Sequence, residues 1–489
     1  MPITAAMLYD LVQCEHRPAM DLFGDPAGRD PVSPFVELLW KRGALYEQKI
    51  IAGLRLPFLD LSTYSDNVKE RLTIEAMRRG DPLIYSGRIS ADDLLGIPDL
   101  LRRTGTGYVA GDIKSGAGEE GDEDQPKLKK HYGVQVALYT DILERKSLSA
   151  GRNPFIWDVH GDEVAYPLDE PQGQRNPTTL WQIYQDTLAK GRKIVARAMT
   201  TMPAYSAPCK NCHWYTACLK DLATRDDLTL LPDLGRSKRD AMVGSIPSIA
   251  DLAATDVSRF IDKKKTVFKG IGPDTLIKLQ QRAKLVSNPN AKPYLTAPLS
   301  LPNSEIELFF DVEVDPMRDV CYLHGFIERR SGNSGTERYH AFFADTVGPA
   351  AEEQAFADSW KFIQSRAPCT TYYYSKYERT IWRKLQEKYS SVCSAADVEA
   401  LFNPAQSVDL YFDVVRKATE WPTRDYSLKT LAKYLGFKWR DTHPSGAASI
   451  EWFDRWVTTR EQQIKQRILD YNEDDCRATR ILLDGIRAL

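Results

Sequence analysis

Long apolar runs are absent from the sequence. Although 43% of the residues are hydrophobic, no stretch approaches the roughly 18 apolar residues that a membrane-spanning helix needs. The first residues, MPITAAMLYDLVQCEH, include acidic side chains and contain no apolar core behind a basic leader, so no secretory signal is expected. These absences predict a cytoplasmic protein without a membrane partner.

An excess of charge of one sign is also absent, because 65 Lys and Arg residues face 67 Asp and Glu residues, for a net charge of −2. Nucleic-acid binders are often basic overall, so this balance argues mildly against that function. It does not exclude a protein that places carboxylates around metal ions and confines its basic groups to one track. A dense acidic cluster is expected to form a solvated loop: Glu119, Glu120, Asp122, Glu123 and Asp124.

Internal repeats and a GxxxxGK[ST] nucleotide-binding motif are absent as well. A helicase partner would therefore be a separate chain, and another repair or defence protein is an alternative partner. The charged fraction of 27% and the ordinary content of Gly and Pro are typical of globular domains. At roughly 100–200 residues per domain, 489 residues predict two to four domains.

Composition changes twice along the chain. Residues 1–220 combine helical periodicity with short alternating runs, whereas residues 221–300 are expected to form a helical connector. Arg236–Lys284, within that connector, contains 11 Lys and Arg residues against 5 Asp and no Glu. Ser287–Pro302 is rich in Pro, Asn and Ser and predicts a linker. Alternating apolar runs and then a terminal helix or helix pair are predicted to form a further domain over residues 303–489.

The connector contains a glycine turn in front of a helix, FKGIGPDTLIKLQQRAKL, in which Gly270-Ile271-Gly272 opens the helix. Glycines at this place let backbone N–H groups approach a phosphate at a helix N-terminus. The stretch and its surrounding lysines resemble a helix–hairpin–helix element, which binds nucleic-acid backbone without reading sequence. An ordinary helix pair with a solvated basic face is the alternative.

A predicted hairpin carries the first set of candidate catalytic residues. In GIPDLLRRTGTGYVAGDIKSG, a Gly-rich turn joins two strands, with Asp99 on the first strand and Asp112 and Lys114 on the second. Asp112 and Lys114 point to one face, and strand pairing brings Asp99 towards Asp112. Two carboxylates can hold Mg²⁺ or Mn²⁺, and the Lys can orient a water and offset developing charge in phosphodiester hydrolysis. A surface hairpin is the alternative for this pattern taken alone.

Two flanking helices extend this set. KRGALYEQKII is an amphipathic stretch that places Glu47 within reach as a further ligand, and YGVQVALYTDIL places Gln135 and Tyr139 four apart on one helix face. This order resembles the RecB-type branch of the PD-(D/E)xK nucleases over residues 1–220. The resemblance implies a restriction-endonuclease-like core in which the two aspartates bind the metal ion and the other residues complete the active site. Where that family often has His, this sequence has Tyr46.

Cysteine is scarce, and eight cysteines in a cytosolic protein of this size do not predict a disulfide framework. Four are scattered singly, whereas Cys209, Cys212 and Cys218 form a Cx2Cx5C pattern after the predicted nuclease core and Cys14 precedes it. Thiolates bind zinc or iron–sulfur clusters, and a small buried side chain is the alternative for Cys14. The pattern resembles the iron–sulfur staple of AddB and of the RecB-type nucleases of CRISPR adaptation, which implies a structural 4Fe–4S cluster.

A second set of carboxylates follows in the last part of the chain. FFDVEVD places Asp311 and Glu313 two apart on one face of a strand. YNEDDCRAT places Tyr471 and Asp475 four apart on a helix, and Glu378 lies between the two motifs at a strand-to-helix transition. Four such carboxylates can hold two Mg²⁺ ions for in-line attack by a water. Taken separately, an exposed strand and a helix surface pair are the alternatives.

Together, and in this order, the motifs resemble the DEDD exonucleases of the RNase H-like superfamily over residues 303–489. The bacterial branch often found next to RecB-type nuclease domains is the most similar one. The resemblance implies a mixed sheet, with the DxE pair and Asp475 as metal ligands and Tyr471 as the residue that orients the attacking water. That family usually has Asp where this sequence has Glu378, and Asp409 competes with Glu378 for the role of ligand.

The sequence therefore predicts a multi-domain α/β protein with an iron–sulfur-stapled nuclease core, a helix–hairpin–helix-like connector and an RNase H-like domain. The predicted function is metal-dependent hydrolysis of DNA, with RNA as an alternative substrate, by an exonuclease that acts in repair, end processing or defence. A nucleic-acid-binding adaptor with decayed sites is the first alternative, because of Tyr46 and Glu378. A zinc or iron–sulfur regulatory protein without hydrolytic activity is the second.

Overall fold

The structure, a computed structural model, describes residues 1–121, 126–173 and 177–489. The chain divides into two units, Met1–Asp221 and Leu222–Leu489, each with its own hydrophobic core. No helix among the described residues is long and apolar enough to cross a membrane. The division into three domains remains a prediction.

The first unit mixes helices with short strands. The described helices are α1 (Ala5–Gln13), α2 (His16–Phe23), α3 (Pro34–Gly53), α4 (Asp66–Arg79), α5 (Lys130–Arg145), α6 (Leu180–Val195) and α7 (Tyr215–Thr224). The described strands are β1 (Ile3–Thr4), β2 (Leu59–Asp60), β3 (Leu83–Tyr85), β4 (Ile89–Ala91), β5 (Leu94–Gly96), β6 (Leu100–Thr104), β7 (Gly107–Ile113), β8 (Glu119–Glu120), β9 (Lys127–Leu128), β10 (Phe155–Trp157), β11 (Glu163–Ala165), β12 (Pro171–Gln172) and β13 (Thr178–Thr179).

The acidic cluster is described only in part. Glu119 and Glu120 are exposed and form strand β8, which pairs with β9, so the prediction of a loop is wrong for this part. Asp122, Glu123 and Asp124 lie outside the described residues.

A six-stranded sheet forms the centre of the first unit, in the order β11-β10-β7-β6-β3-β2. All residues of β7 are buried, since β10 and β6 pair with it on its two sides. The predicted hairpin is confirmed, because β6 and β7 pair antiparallel around the Gly105-Thr106 turn. Gly105 has a φ of 60°, a conformation that favours glycine. Asp99 directly precedes β6 and Lys114 directly follows β7, so neither lies on the strand that was expected to carry it. Asp99 nevertheless lies next to Asp112 near the end of β7.

Helix α5 is apolar on nearly every side. Val134, Leu138 and Ile142 have no solvent exposure, because α1 and α6 pack on this helix as well as strands of the sheets. A polar side chain on such a helix needs a specific partner, since an unpaired buried polar group is costly.

The second unit contains longer strands. Its described helices are α8 (Arg236–Met242), α9 (Ile249–Ala254), α10 (Pro273–Ser287), α11 (Pro349–Gln364), α12 (Tyr377–Lys388), α13 (Ala395–Leu401), α14 (Arg416–Ala418), α15 (Leu428–Tyr434), α16 (Gly446–Thr459) and α17 (Gln462–Arg487), together with a π-helical turn over Leu410–Val415. Its described strands are β14 (Ile261–Asp262), β15 (Lys265–Thr266), β16 (Tyr294–Leu295), β17 (Ile306–Asp315), β18 (Val320–Arg330), β19 (Asn333–Phe343), β20 (Cys369–Tyr373), β21 (Ser407–Asp409) and β22 (Thr419–Glu420).

A five-stranded mixed sheet forms the main core of the second unit, in the order β19-β18-β17-β20-β21. Strand β17 pairs antiparallel with β18 and parallel with β20. The strands predicted from EIELFFDVEVD and VCYLHGFIERR are confirmed as β17 and β18, and the predicted terminal helix is the single helix α17. This helix packs against β17 and β18, so the chain brings its last motif to the central strand.

The predicted connector folds as part of the second unit. Helix α9 packs on α10, the β14–β15 hairpin lies between them in the chain, and Gly272 caps α10 as predicted. Arg282 on α10 is 2% exposed and donates to Glu420 at 2.8 Å and to Asp233 at 2.7 Å. Within the predicted linker, β16 pairs with β22, so that segment is irregular only in part.

Candidate functional site

Three carboxylates of the second unit converge at one point. Asp311 and Glu313 lie on β17, and Asp475 lies on α17. One oxygen from each can be chosen so that all three lie within 4.8 Å of one another. Among the residues that the structure describes, no other group of His, Cys, Asp or Glu side chains meets this condition. The fold therefore brings together three of the predicted metal ligands.

The alternation of β17 selects the side chains that face α17. Asp311 and Glu313 share one face of the strand, whereas Phe310 and Val312 pack into the core on the other face. The pairing with β18 shifts register between Glu313 and Val314. Irregularities of this kind re-aim side chains and are common next to active sites.

Asn472 holds the carboxylate of Asp311. Its Nδ2 donates to Asp311 Oδ2 at 2.7 Å, and its Oδ1 accepts from the hydroxyl of Tyr339 at 2.8 Å. Asn472 is fully buried, and it lies against Gly325, the residue paired with Asp311 on β18. A Cβ at Gly325 would lie 1.6 Å from Asn472 Oδ1. Only glycine at this position leaves room for the hydrogen bond to Asp311.

Three side chains hold Asp475. Trp439 Nε1 donates to Oδ1 of Asp475 at 2.6 Å, and Lys429 Nζ lies 3.3 Å from Oδ2. The same ammonium donates to the hydroxyl of Tyr471 at 2.9 Å, and this hydroxyl also hydrogen-bonds Asp475. Lys429 therefore supplies positive charge beside the carboxylates and fixes Tyr471 relative to Asp475.

Glu378 adds a fourth carboxylate to this region. It lies in the first turn of α12, shortly after β20, so the predicted strand-to-helix transition is confirmed. Its side chain is buried, and its Oε2 has no hydrogen-bond partner among the described residues. Burial and the negative charges of Asp409 and Asp475 raise the pKa of Glu378, but among the described residues Glu378 does not belong to the group whose oxygens lie within 4.8 Å of one another.

Asp409, the competing candidate, caps the π-helical turn. Its Oδ1 accepts from the backbone N–H groups of Tyr411 and Phe412 at 2.9 Å and of Ser375 at 3.2 Å. One of its two oxygens is therefore occupied by the backbone. The side chain ties the π-helical turn to the segment between β20 and α12.

Burial and mutual repulsion raise the pKa values of the clustered carboxyls. Burial, with the charge of Asp475 next, raises the pKa of Glu313 to about 8. Burial is also the largest cause for Glu378, and the charge of Asp409 helps to raise its pKa to about 8. Burial, followed by the charge of Glu313, holds the pKa of Asp311 well above its usual range. Such a cluster favours binding of a proton or a cation.

The donors of this cluster fit a divalent metal ion. Carboxylate oxygens are the ligands that Mg²⁺ and Mn²⁺ prefer in proteins. Three of them lie close enough to share one ion, and the buried Oε2 of Glu378 lacks a hydrogen-bond partner in the described structure. A cation at this point would offset the repulsion among the carboxylates.

The hairpin of the first unit brings two aspartates and a lysine together. The N–H of Asp99 donates to Asp112 Oδ1 at 3.3 Å, and Asp99 Oδ2 accepts from the N–H of Ile113 at 2.7 Å. Lys114 Nζ forms an ion pair with Asp112 Oδ2 at 2.7 Å. Burial, with Asp112 next, raises the pKa of Asp99. Burial alone would lower the pKa of Lys114, but the two aspartates outweigh it and raise that pKa.

The acid predicted on α3 lies in the same region. Glu47 Oε1 accepts from the hydroxyl of Tyr85 at 2.8 Å, and the charge of Glu47 acts on Asp99. Glu47 and the two aspartates do not bring three ligand oxygens within 4.8 Å of one another in the described part of the chain. Tyr46 packs against the sheet, and its hydroxyl donates to the backbone carbonyl of Asp158.

The predicted pair on α5 is confirmed. Gln135 Nε2 donates to the hydroxyl of Tyr139 at 3.3 Å, and this hydroxyl donates to the carbonyl of Ile97 at 3.4 Å. Burial raises the pKa of Tyr139, and the negative charges of Asp112 and Asp99 add to the shift. Gln135 Oε1 is buried and has no hydrogen-bond partner among the described residues.

The four cysteines singled out in the sequence line one cavity of the first unit. Its volume is about 270 Å³, and its lining includes Cys14, Cys209, Cys212 and Cys218. Burial, with the charges of Cys212 and Cys14 next, raises the pKa of Cys218 to about 12. The fold thus brings Cys14, at the end of α1, to the other three cysteines at and before α7.

The motifs do not predict three residues of the second site: Lys429, Trp439 and Asn472. Lys429 and Trp439 lie in RDYSLKTLAKYLGFKWR, which resembles the family without assigning a role to either. Asn472 has one available signal, since its i, i+3 spacing to Asp475 places both on one face of a helix.

Two family models match the chain. The model of the PD-(D/E)XK nuclease superfamily matches residues 35–219, and the model of the RNase_H superfamily matches residues 308–486. The chain therefore contains a PD-(D/E)XK nuclease superfamily domain and an RNase H superfamily domain, as predicted. Nucleases of these superfamilies generally use divalent metal ions such as Mg²⁺, and both domains imply a nucleic-acid substrate. No curated protein matches the chain.

Proposed function

We propose that this protein is a metal-dependent exonuclease that hydrolyses phosphodiester bonds of DNA, with RNA as the alternative substrate. The observation that carries the proposal is the convergence of Asp311, Glu313 and Asp475 within 4.8 Å in the RNase H superfamily domain. Strongly perturbed carboxyls gathered at one point are typical of functional sites. The setting that we propose is the processing of nucleic-acid ends in repair or defence.

The residues of the second unit would have separate roles in metal binding and in orienting the attacking water. Asp311, Glu313 and Asp475 would hold divalent metal ions, with Glu378 as the fourth ligand. A bound metal ion lowers the pKa of a water and offsets charge on the phosphate. Tyr471 keeps its proton, because burial raises its pKa. Its hydroxyl can therefore hydrogen-bond the attacking water but does not serve as the base.

Lys429 and Trp439 act as positioning residues. The ammonium of Lys429 contacts both Tyr471 and Asp475, and the indole N–H of Trp439 contacts Asp475. These contacts fix the carboxylate and the phenol relative to each other. An active site needs such support, because small displacements of the reacting groups lower the rate strongly.

The PD-(D/E)XK domain contains the parts of a second active site. Asp99 and Asp112 would hold a metal ion, with Glu47 as a further ligand, and Lys114 would offset the negative charge of the phosphate. The Gln135 and Tyr139 pair would complete this site on α5. Since Lys114 already neutralises Asp112 at 2.7 Å, we expect weaker metal binding here than in the second unit.

An adaptor role for the first unit is the second candidate function. The observation that favours it is the direct ion pair between Lys114 and Asp112, together with the carbonyl contact of Tyr46. In this case the first unit would bind nucleic acid without cutting it. All cleavage by the protein would then depend on Asp311, and Asp112→Asn would leave it unchanged.

A 4Fe–4S cluster is our proposal for the cavity that the four cysteines line. A single zinc ion with Zn–S distances of about 2.3 Å would draw its sulfurs to about 3.8 Å from one another. No three ligand sulfurs of described cysteines lie within 4.8 Å of one another. A four-iron cube holds its thiolates further apart, because each one binds a different iron atom. Equal iron and sulfide in anaerobically purified protein, lost in Cys212→Ser, would support the cluster, whereas zinc without sulfide would contradict it.

The segment from α9 to α10 is proposed to bind nucleic-acid backbone as a helix–hairpin–helix-like element. The tip of its β14–β15 hairpin carries exposed Lys263 and Lys264, and Gly272 begins α10. Replacing both lysines with Ala should reduce the salt dependence of DNA binding, with a change in log–log slope of about 2. An unchanged slope would contradict this role.

Cleavage of end-labelled single- and double-stranded DNA tests the nuclease proposal. Anaerobically purified wild type should cut with Mg²⁺ or Mn²⁺ and stop in a chelator. Labels at the 5′ and the 3′ end distinguish stepwise removal from internal cuts, and RNA strands are tested in parallel. Metal-loaded wild type that leaves every polymer intact would overturn the proposal. Equal activity of the Asp112→Asn, Asp311→Asn double variant would identify a contaminating nuclease.

A further inference from the structure

An aromatic shelf is present in the second unit, and we define it as Tyr411 and Phe412 together with Tyr374 and Lys376. Tyr411 and Phe412 lie in the π-helical turn, with ring centroids 4.8 Å apart. The rings of Tyr374 and Tyr411 lie 5.4 Å apart. Lys376 Nζ lies 5.0 Å from the ring centroid of Phe412. Three rings and one ammonium thus lie next to one another.

The outer part of the shelf is open to solvent. Phe412 is 38% exposed, and Lys376 is exposed. Single exposed apolar side chains are common in proteins, so exposure alone assigns no function. Phe412 differs from such side chains because the ammonium of Lys376 lies beside its ring and because hydrogen bonds hold the backbone near both residues.

The buried carboxylate of Asp409 fixes the backbone of the shelf. Asp409 accepts from the N–H groups of Tyr411 and Phe412 and from the N–H of Ser375, the residue before Lys376. Ser375 has a φ of 108°, which is unfavourable for a residue with a side chain. A π-helical turn is also rare and often lies at a functional site. The fold therefore keeps two unusual backbone conformations that hold Lys376 against Phe412.

The shelf adjoins the candidate active site of the second unit. Lys376 is the residue that precedes α12, and the first turn of this helix carries Glu378. Asp409, which holds the shelf, lies close enough to Glu378 for its charge to act on that carboxyl. Tyr377 lies between Lys376 and Glu378 in the chain, and burial, helped by the charge of Glu313, raises its pKa. A group bound on the shelf would therefore lie at the start of α12, the helix that carries Glu378.

We propose that the shelf is a stacking site for an unpaired nucleobase, through which the second unit receives a single-stranded end of DNA or RNA. Every base has a flat π-face, so an exposed aromatic ring binds single strands with little sequence preference. The ammonium of Lys376 is placed to contact a neighbouring phosphate. The inference rests on the proposed nuclease function and adds to it the form of the substrate, a single strand.

The test uses full-length protein that carries Asp112→Asn and Asp311→Asn, so that bound strands stay intact, and a fluorescent single strand of DNA or RNA. Phe412→Leu keeps an apolar side chain but removes the π-face. We expect it to weaken binding about tenfold and Phe412→Trp to restore binding. Lys417→Ala is the matched control, because Lys417 is exposed nearby and donates to Asp413 at 2.6 Å. It should leave binding unchanged.

A strand with abasic positions separates stacking from charge. Phe412→Leu should bind this strand as tightly as its parent does, because no base remains to stack, whereas Lys376→Ala should weaken binding of both strands. The proposal is overturned if the parent does not bind single strands, if Phe412→Leu binds the ordinary strand normally, or if its loss is equal on the abasic strand. Failure of the proposed nuclease function would be a different result. In that case wild type would not cleave nucleic acid, but binding of single strands would still depend on Phe412.

Discussion

The second unit gathers three carboxylates around one point, whereas the first unit pairs its aspartates with a lysine. In the second unit the ammonium of Lys429 lies 3.3 Å from Asp475 and is shared with a phenol. In the first unit Lys114 lies 2.7 Å from Asp112, and the charges of the two aspartates raise the pKa of Lys114. The second site therefore keeps three converging carboxylates whose repulsion a metal ion would offset, whereas in the first site a lysine already pairs directly with one of the two aspartates.

Removal of a proposed metal ligand should show this difference between the two sites most strongly. Asp311→Asn takes away one of three converging carboxylates. We expect the Mn²⁺ affinity of the full-length protein to fall more than about 100-fold, which exceeds the loss caused by mutating a residue that only hydrogen-bonds to a metal ligand. Calorimetric titration measures it. Asp112→Asn is the matched variant of the first unit and should leave the tightest Mn²⁺ site intact. Equal losses of Mn²⁺ affinity in the two variants would contradict the proposed difference between the two sites.

A glycine of the second unit supports Asp311, a proposed metal ligand, through Asn472. Gly325→Ala would displace Asn472, whose Oδ1 lies 1.6 Å from the position of the new Cβ, and thereby release Asp311. We expect a loss of Mn²⁺ affinity of about 10–100-fold. Gly446→Ala, where nothing lies within 4 Å of a new Cβ, is the control. Unchanged affinity in Gly325→Ala would show that the hydrogen bond to Asp311 does not position it.

The lysine of the first unit should matter for stability more than the lysine of the second. Lys114→Met leaves Asp112, 2% exposed in its side chain, without its cation. We expect the first unit to lose about 2 kcal/mol, below the usual cost of breaking a fully buried pair because Lys114 is partly exposed. Lys429→Met should cost less, since its ammonium is 3.3 Å from Asp475 and 30% exposed. Urea unfolding measures both, and the reverse order would contradict the comparison.

The pH dependence of the metal effect should be smaller, and its test concerns the two glutamates of the second unit. Glu313 and Glu378 have folded pKa values of about 8, above the roughly 4.3 of an unfolded Glu. Between these values the folded metal-free protein binds more protons, so its stability falls as pH rises through about 8.

Mg²⁺ competes with those protons and should therefore raise the melting temperature more at high pH than at low pH. We expect a difference of about a few degrees between pH 8.5 and pH 6 by calorimetry. Asp311→Asn should abolish this difference. An equal effect of Mg²⁺ at the two pH values in wild type would contradict the assignment of the raised pKa values.

Local patterns account for the parts that the sequence predicts well. The alternation of FFDVEVD places Asp311 and Glu313 on one face of β17, and helical spacing places Gln135 beside Tyr139. Both depend only on neighbours in the chain. The hairpin that carries Asp112 is equally local, because its glycine turn fixes the pairing of β6 with β7.

Long-range packing accounts for what the sequence does not predict. Lys429 and Trp439 reach Asp475 only because α15 and the segment after it pack against α17. The choice between Glu378 and Asp409 is open in the sequence, since both are single acids in plausible segments. In the structure Asp409 accepts three backbone N–H groups, whereas an oxygen of Glu378 has no hydrogen-bond partner among the described residues.

The most direct test of the central claim, that the carboxylates around Asp311 form a metal-dependent nuclease site, is a cleavage assay with single variants. Wild type, Asp112→Asn, Asp311→Asn and the double variant are compared on end-labelled single- and double-stranded DNA with Mn²⁺. We predict that Asp311→Asn loses cleavage of single strands, that Asp112→Asn retains it, and that the double variant cuts nothing. Cleavage of single strands by Asp311→Asn at the wild-type rate would contradict the claim.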